Sequence, residues 1–210
     1  MRHLEGSKAM LALMIDKHVA PLLSSKGFRR SKLVWNRRLD GITHVLDVQL
    51  AKWSSTEKLN FTVNLGAFFE RVWQAVWDKP VARTIQEVDC FPRLRIGQLI
   101  GEGPLHKDVS WNIDDTTDVD AVGFELQGIL MSKGLPFLDS LDSINAALTV
   151  AEAPMLRRFP AERLYYAAMK CVAGRHEEAA EILTEMLANP KLQAWHERIR
   201  GVSDRLAHLA

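Results

Sequence analysis

"ITHVLDVQLAKW", residues 42–53, and "LNFTVNLGAFF", residues 59–69, decide how this chain is read. In both, apolar and polar side chains alternate with period two, and β-branched and aromatic residues are frequent. That is the pattern of strands with one covered face. Ile42, His44, Leu46, Val48 and Leu50 share a face of the first segment, and Leu59, Phe61, Val63 and Leu65 share a face of the second. "FRRSKLVWNRRL", residues 28–39, has the same texture and runs into Asp40-Gly41, a tight-turn signature. The polar stretch 54–58 links the other two. The expectation is a three-strand antiparallel meander, with "VDCFPRLRIGQLI" at 88–100 as a fourth extended segment.

Helical periodicity surrounds this block. From about His3 to Lys26 apolar positions recur at steps of three and four, with Gly27 placed as a C-terminal cap and Pro21 expected to kink or end the helix. "ERVWQAVWDKP" reads as a short helix stopped by Pro80, and helical patterns return at 117–133 and 140–152. No strand signal occurs beyond that point. "LYYAAMKCVAGRHEEAAEILTEMLANP", residues 164–190, resembles one tetratricopeptide-type hairpin closed at Gly174 and ended by Asn189-Pro190, with a last helix through Trp195, Ile199, Val202 and Leu206. The expected fold is α+β. Residues 1–150 form a body in which the N-terminal helix packs on a sheet of about four strands, and residues 151–210 form an all-helical tail on it.

Composition excludes several functional classes. With 210 residues, 47% hydrophobic and 25% charged, the chain has the make-up of a globular protein. A net charge of +1 gives no global attraction to nucleic acid or membrane. No apolar run approaches the roughly 18 residues of a bilayer span. Glu5, Lys8, Asp16 and Lys17 interrupt the N-terminal stretch, so it reads as mature protein rather than a signal peptide. Two distant cysteines, Cys90 and Cys171, read as buried free thiols in a cytoplasmic protein.

"GFRR", "WNRR", "VLDVQLAKW", "FTVNLGAFFE", "CFPRLRIGQLI" and "SWNI" follow one another in an order that resembles an uncharacterised bacterial family, a domain of unknown function, over about residues 8–135. The NLG and RIG segments are its most specific parts. The resemblance implies an α+β fold and a bacterial source, and brings no activity, catalytic residue or cofactor.

Chemistry-bearing residues gather on one expected surface. If residues 88–97 are extended, Phe91, Arg93, Arg95 and Gly97 share a side, with Cys90, Leu94 and Ile96 opposite. The matching sides of the other strands carry Asn36 and Arg38, then Asp47 and Gln49, then Asn60, Thr62 and Asn64. Such a face is either a solvated sheet surface or an arginine-bearing recognition surface for carboxylates or phosphates. The basic run 26–38, with Phe28 and Trp35 interleaved, has the make-up for stacking and phosphate contact with single-stranded nucleic acid. The acidic run 108–125 offers a simpler role, mutual or local charge compensation. The seven histidines show no metal-ligand spacing, His44 reads as a satisfied half-core residue, and "GEGP" at 101–104 reads as a turn. A Cys90–His44 nucleophile pair has no support in the spacing. No metal or cofactor signature is present.

The resulting expectation is a non-enzymatic, cytoplasmic protein-binding module, with an immunity-type protein capping a toxin as one specific form. The candidate binding residues are Arg93, Arg95, Asp47, Gln49, Asn64, Arg38 and Trp111, and Trp53, Trp73 and Trp77 are candidate exposed anchors. The alternative is a small-molecule site, enzymatic or not, in which Arg93 and Arg95 hold an anion.

Overall fold

The computed structural model describes residues 2–52, 58–101 and 109–208, with side chains from Gly6 onward. Helix α1 (Arg2–Met14), a π-helical turn (Ile15–Val19) and α2 (Ala20–Ser25) make one rod. Strands β1 (Arg29–Ser31), β2 (Val34–Arg38), β3 (Ile42–Leu50) and β4 (Leu59–Phe69) follow. Next come α3 (Glu70–Trp77), β5 (Arg93–Arg95), the short α4 (Gly97–Ile100) and β6 (Trp111–Ile113). A second rod joins α5 (Val119–Ile129), a π-helical turn (Leu130–Gly134) and α6 (Leu135–Asp139). Helices α7 (Ile144–Ala151), α8 (Pro160–Val172), α9 (His176–Ala188) and α10 (His196–Ala207) end the described chain.

The fold is α+β, built on β4. Strand β3 pairs with it from Ile42↔Phe69 to Leu50↔Phe61, and β5 and β6 lie end to end along its other edge, all antiparallel. Two strands go beyond the expected four. Residues 28–39 are a hairpin, not one strand: Ser31 pairs with Val34 across a turn in which Lys32 takes φ +57°. "WNI" adds β6, too short for its period to show. The Asp40-Gly41 turn is as expected, with the Leu39 N–H bonded to the Ile42 carbonyl at 2.8 Å. Of the expected links at 54–58 and 101–104, all but Lys58 and Gly101 lie outside the described residues, as do Trp53, His106 and Asp108.

Pro21 does not end its helix. A proline lacks the amide hydrogen and crowds the carbonyl four residues back, and the π turn widens the ladder at that place. Pro136 stands in the same relation to the second π turn. Gly27, at φ +82°, closes the first rod.

Both rods cover one sheet face. Trp35, Leu46, Val48, Phe61, Val63 and Leu65 are sealed beneath Leu11, Met14, Ile15, Leu23, Leu126 and Leu130. Farther along β4, Ala67 and Phe69 belong to a second core with Val72 and Val76 of α3 and Leu164, Ala168, Leu183, Ile199 and Val202 of the tail. Polar contacts reinforce that junction. Trp77 Nε1 donates to the Tyr165 hydroxyl at 2.6 Å, and Arg205 Nε donates at 2.7 Å to the Ala75 carbonyl, one of the unpaired last-turn carbonyls of α3. Within the tail, Leu164, Ala179 and Leu183 are buried while Leu187 and Trp195 are half-buried. Pro160 opens α8, and Gly174 at φ +79° closes it.

On the opposite face the segment 79–92 covers half the sheet. Val34, Val45 and Phe68 pack there against Ile85 and Cys90. Asn36 holds the segment with two bonds, Nδ2 to the Ile85 carbonyl at 3.0 Å and Oδ1 from the Ile85 N–H at 2.8 Å. The approach at Gly66 is closer still. A Cβ there would lie 2.7 Å from Cys90 Cβ and 3.1 Å from Arg93 Cβ.

Two outcomes follow for stability. Gly66→Ala overpacks this contact and is expected to cost about 1–3 kcal/mol, whereas Gly128→Ala, with nothing within 4 Å, should leave stability unchanged or raised by up to about 1 kcal/mol. Thermal unfolding of the two variants reads the opposite signs. A chain ending at residue 150 uncovers Ala67, Phe69, Val72 and Phe91 and should aggregate or melt well below the full chain. Equal solubility and heat stability would remove the tail from this core.

Candidate functional site

The uncovered half of the second face holds most of the sequence candidates. Register places Asn64 opposite Asp47 on one side and Arg95 on the other, with Gly66 opposite Arg93. Asn64 is buried and its Nδ2 donates to Gln49 Oε1 at 3.0 Å. Arg93 Nη1 pairs with Glu87 Oε1 at 3.0 Å. Arg95 is exposed, and its backbone N–H bonds to Gln98 Oε1 at 2.8 Å. Gln49, Asn64, Arg93, Arg95 and Gln98 floor an open cleft of about 480 Å³ whose far wall is Met155, Leu156, Phe159 and Glu162, from the segment entering α8; the candidate Asp47 is not part of its lining. Gln49 and Arg95 also form the ridge of a neighbouring hollow of about 330 Å³ with Asn60, Thr62 and Lys52.

The rim is apolar as well as charged. Val88 is 65% exposed, Phe159 63% and Met155 38%. Glu162 reaches back to the Phe159 N–H at 3.0 Å, which fixes the start of α8. Burial, then the nearby Glu87 charge, raise the Asp47 carboxyl above its ordinary pKa, against a hydrogen bond from Asn64 that lowers it.

Two candidates fall elsewhere. Arg38 lies at the other end of the face, its Nη2 donating to the Arg83 carbonyl at 2.8 Å. Trp111 is 6% exposed and stacks on Phe61 at 5.5 Å, so it is a core side chain. Trp73 and Trp77 are half-buried rather than exposed, ringed by Phe68, Tyr165 and Arg198.

Cys90 sits on the arginine side of the sheet, not opposite it, because the chain bends at Phe91-Pro92 and breaks the parity of an extended strand. It is buried, and burial together with Glu87 and Asp89 pushes its thiol pKa well up, which suppresses the thiolate. His44 lies on the other face. Its Nε2 meets the Leu141 carbonyl at 3.1 Å and its Nδ1 the Arg37 Nη2 at 2.8 Å, so both ring nitrogens are committed and the pair with Cys90 does not form.

The charge runs do not neutralise one another as blocks. Arg30 pairs with Asp16 and Arg37 with Asp139. Among the acids, Asp114 organises the turn at Thr116-Thr117, Asp118 caps α5, and Asp120 holds Lys17 and His18 at 2.7 Å each. Phe28 and Trp35 are buried, which removes the surfaces that base stacking needs. Among the described residues no group of three or more metal-ligating side chains gathers.

A family model described as a domain of unknown function, DUF4304, matches residues 19–140. The chain belongs to that family. No curated protein and no solved structure matches it. The DUF4304 span takes in every strand, the 79–92 segment and the second helical rod. It stops short of Met155, Phe159 and Glu162, so the cleft joins a DUF4304 floor to a wall from outside the matched span.

Glu87, Val88, Gln98, Met155, Phe159 and Glu162 were not among the sequence candidates. None carries a periodic signal, and only the proline after Phe159 marks that stretch as a helix start.

The raised Asp47 pKa has a readable consequence. The folded state binds this proton more tightly than the unfolded chain, so ionised Asp47 opposes folding above its folded-state pKa, and that opposition fades as pH falls through it. Asp47→Asn should therefore melt above wild type at pH 7, with the difference vanishing in the acid range where both side chains are neutral. A constant difference at every pH would show that Asp47 acts through packing alone.

Proposed function

We propose that the protein is a non-enzymatic protein-binding module of the bacterial cytoplasm that takes its partner in the cleft between β5 and the start of α8. An immunity-type cap on a toxin is the specific form of this reading. The observation that carries it is the make-up of the rim. Three exposed apolar side chains, Val88, Met155 and Phe159, surround the Arg93–Glu87 pair and the Arg95 guanidinium. Protein interfaces use this combination of apolar or aromatic anchors beside arginine, whereas a small-molecule site encloses its ligand. The acids Glu87 and Glu162 along the rim disfavour a bare anion and suit a partner segment that presents an apolar side chain next to a polar or acidic one. Both cysteines are free and buried, in keeping with a reducing compartment.

Pull-down from the native bacterium with wild-type protein and with Phe159→Asp tests this. Wild type should retain one defined protein, and the variant should lose about thirtyfold or more in affinity for it, the scale of an interface anchor. Its melting temperature should be unchanged, because the ring is exposed. If instead a phosphate- or carboxylate-bearing metabolite co-purifies and Arg95→Ala abolishes its retention, the protein-binding reading is replaced by a ligand site.

A further inference from the structure

A second cleft, at the other end of the same sheet face, is left unused by that reading. It has a volume of about 870 Å³ and is lined by Gly27, Arg29, Arg30, Ser31, Asn36, Arg38, Arg83 and Thr84, with no carboxylate in its lining. Strand alternation divides the basic run here. Arg30 turns to the helix-covered side, where it lies over Trp35 and pairs with Asp16. Arg29 stands opposite Asn36 in the register and so shares the cleft side with Asn36 and Arg38. Arg83 comes from the facing segment. Three guanidiniums therefore serve one concavity.

The cleft is held in shape. The two Asn36–Ile85 bonds fix the segment carrying Arg83 and Thr84 against β2, and the Arg38 Nη2 bond to the Arg83 carbonyl ties the two walls together. Carbonyls at the end of the first helical rod, which would repel an anion, are already engaged: Leu22 accepts from Ser25 Oγ, Leu23 from the Lys26 and Phe28 N–H groups, and Ser24 from Gly27 N–H. Guanidinium forks match phosphoryl oxygens two at a time, and a cavity of this size holds one molecule of nucleotide scale. With Phe28 and Trp35 buried, nothing in the cleft stacks a chain of bases.

We propose that this arginine cleft binds a small, free ligand carrying two or more adjacent phosphoryl groups, and that it does so independently of the protein-binding cleft. Isothermal titration of the full chain with inorganic tripolyphosphate tests the site. The expected result is saturable one-to-one binding that weakens with added salt. Arg29→Gln with Arg83→Gln should weaken it about tenfold or more, the worth of losing charge-assisted bonds. Arg95→Gln, in the other cleft, should leave it unchanged. The Arg29→Lys, Arg83→Lys pair keeps charge and loses the forks, and should bind at an intermediate level; it serves as the test if the glutamine pair does not fold. Absence of saturation, equal binding by either pair and wild type, or equal weakening by Arg95→Gln would overturn the proposal. So would a single-stranded oligonucleotide of matching charge that binds as tightly as tripolyphosphate.

Discussion

The missing side chain at Gly66 sets the arrangement of everything on the second face. Because no Cβ is there, the backbone at 90–93 settles directly on β4, with Cys90 and Arg93 at distances a methyl group would occupy. Three consequences follow from one contact. The β5 ladder forms at Asn64, Leu65 and Gly66, which turns Arg93 and Arg95 to the open side. Phe91 swings to the tail and stacks on Tyr165 at 5.8 Å. Cys90 closes the small apolar cluster that roofs Val45 and Phe68. The glycine in NLG and the arginines in RLRIG are thus one structural device read from two ends.

The same strand joins the two large cores. Odd-numbered residues of β4 face the helices along its whole length, Phe61 to Leu65 under the rods and Ala67 to Phe69 under α3 and the tail. This continuity is why β3 and β4 were legible from the sequence: apart from Val45 and Phe68, which pack on the second face, the apolar residues across nine register positions keep one parity, and a shift by one residue would turn that set out of the helix-covered core. The β1–β2 hairpin was not legible for an equally specific reason. Its turn places Lys32 at positive φ, where glycine or asparagine would have signalled a turn, so the residues on either side read as one strand. Pro21 misled in the opposite direction. It signals a kink or an end, and the π turn just upstream of it lets the helix continue.

Site residues divided along similar lines. Arg93, Arg95, Gln49, Asn64 and Asp47 were found because strand parity alone puts them on one side. Glu87, Val88, Met155 and Phe159 come from segments with no period, and only tertiary packing brings them to the same cleft. The inferred uniform polar face was half wrong for this reason. Parity identified which side chains share a side, but nothing periodic in residues 79–92 announces that Ile85 and Cys90 cover Val34 and Phe68. Trp111 shows the complementary error. Composition suggested an interface anchor, while its three-residue strand buries it on Phe61.

The two clefts differ in how they are assembled, and that difference bears on what each can do. All residues lining the arginine cleft fall within the DUF4304 span: Gly27 ahead of β1, residues of β1 and β2, and a segment pinned by Asn36. The other cleft has its floor inside that span and its apolar wall beyond it, held in place because Tyr165 of α8 bonds Trp77 of α3 and stacks on Phe91. A replacement at Met155 or Phe159 can therefore reshape the apolar wall without changing Arg93, Arg95, Gln49 or Asn64, since these two side chains are exposed and come from a different segment than the floor. Specificity for a protein partner is most easily altered at such a wall, where exposed apolar groups are replaceable at little cost to folding. The arginine cleft has less freedom at Arg38, whose side chain makes the bond to the Arg83 carbonyl that joins its two walls.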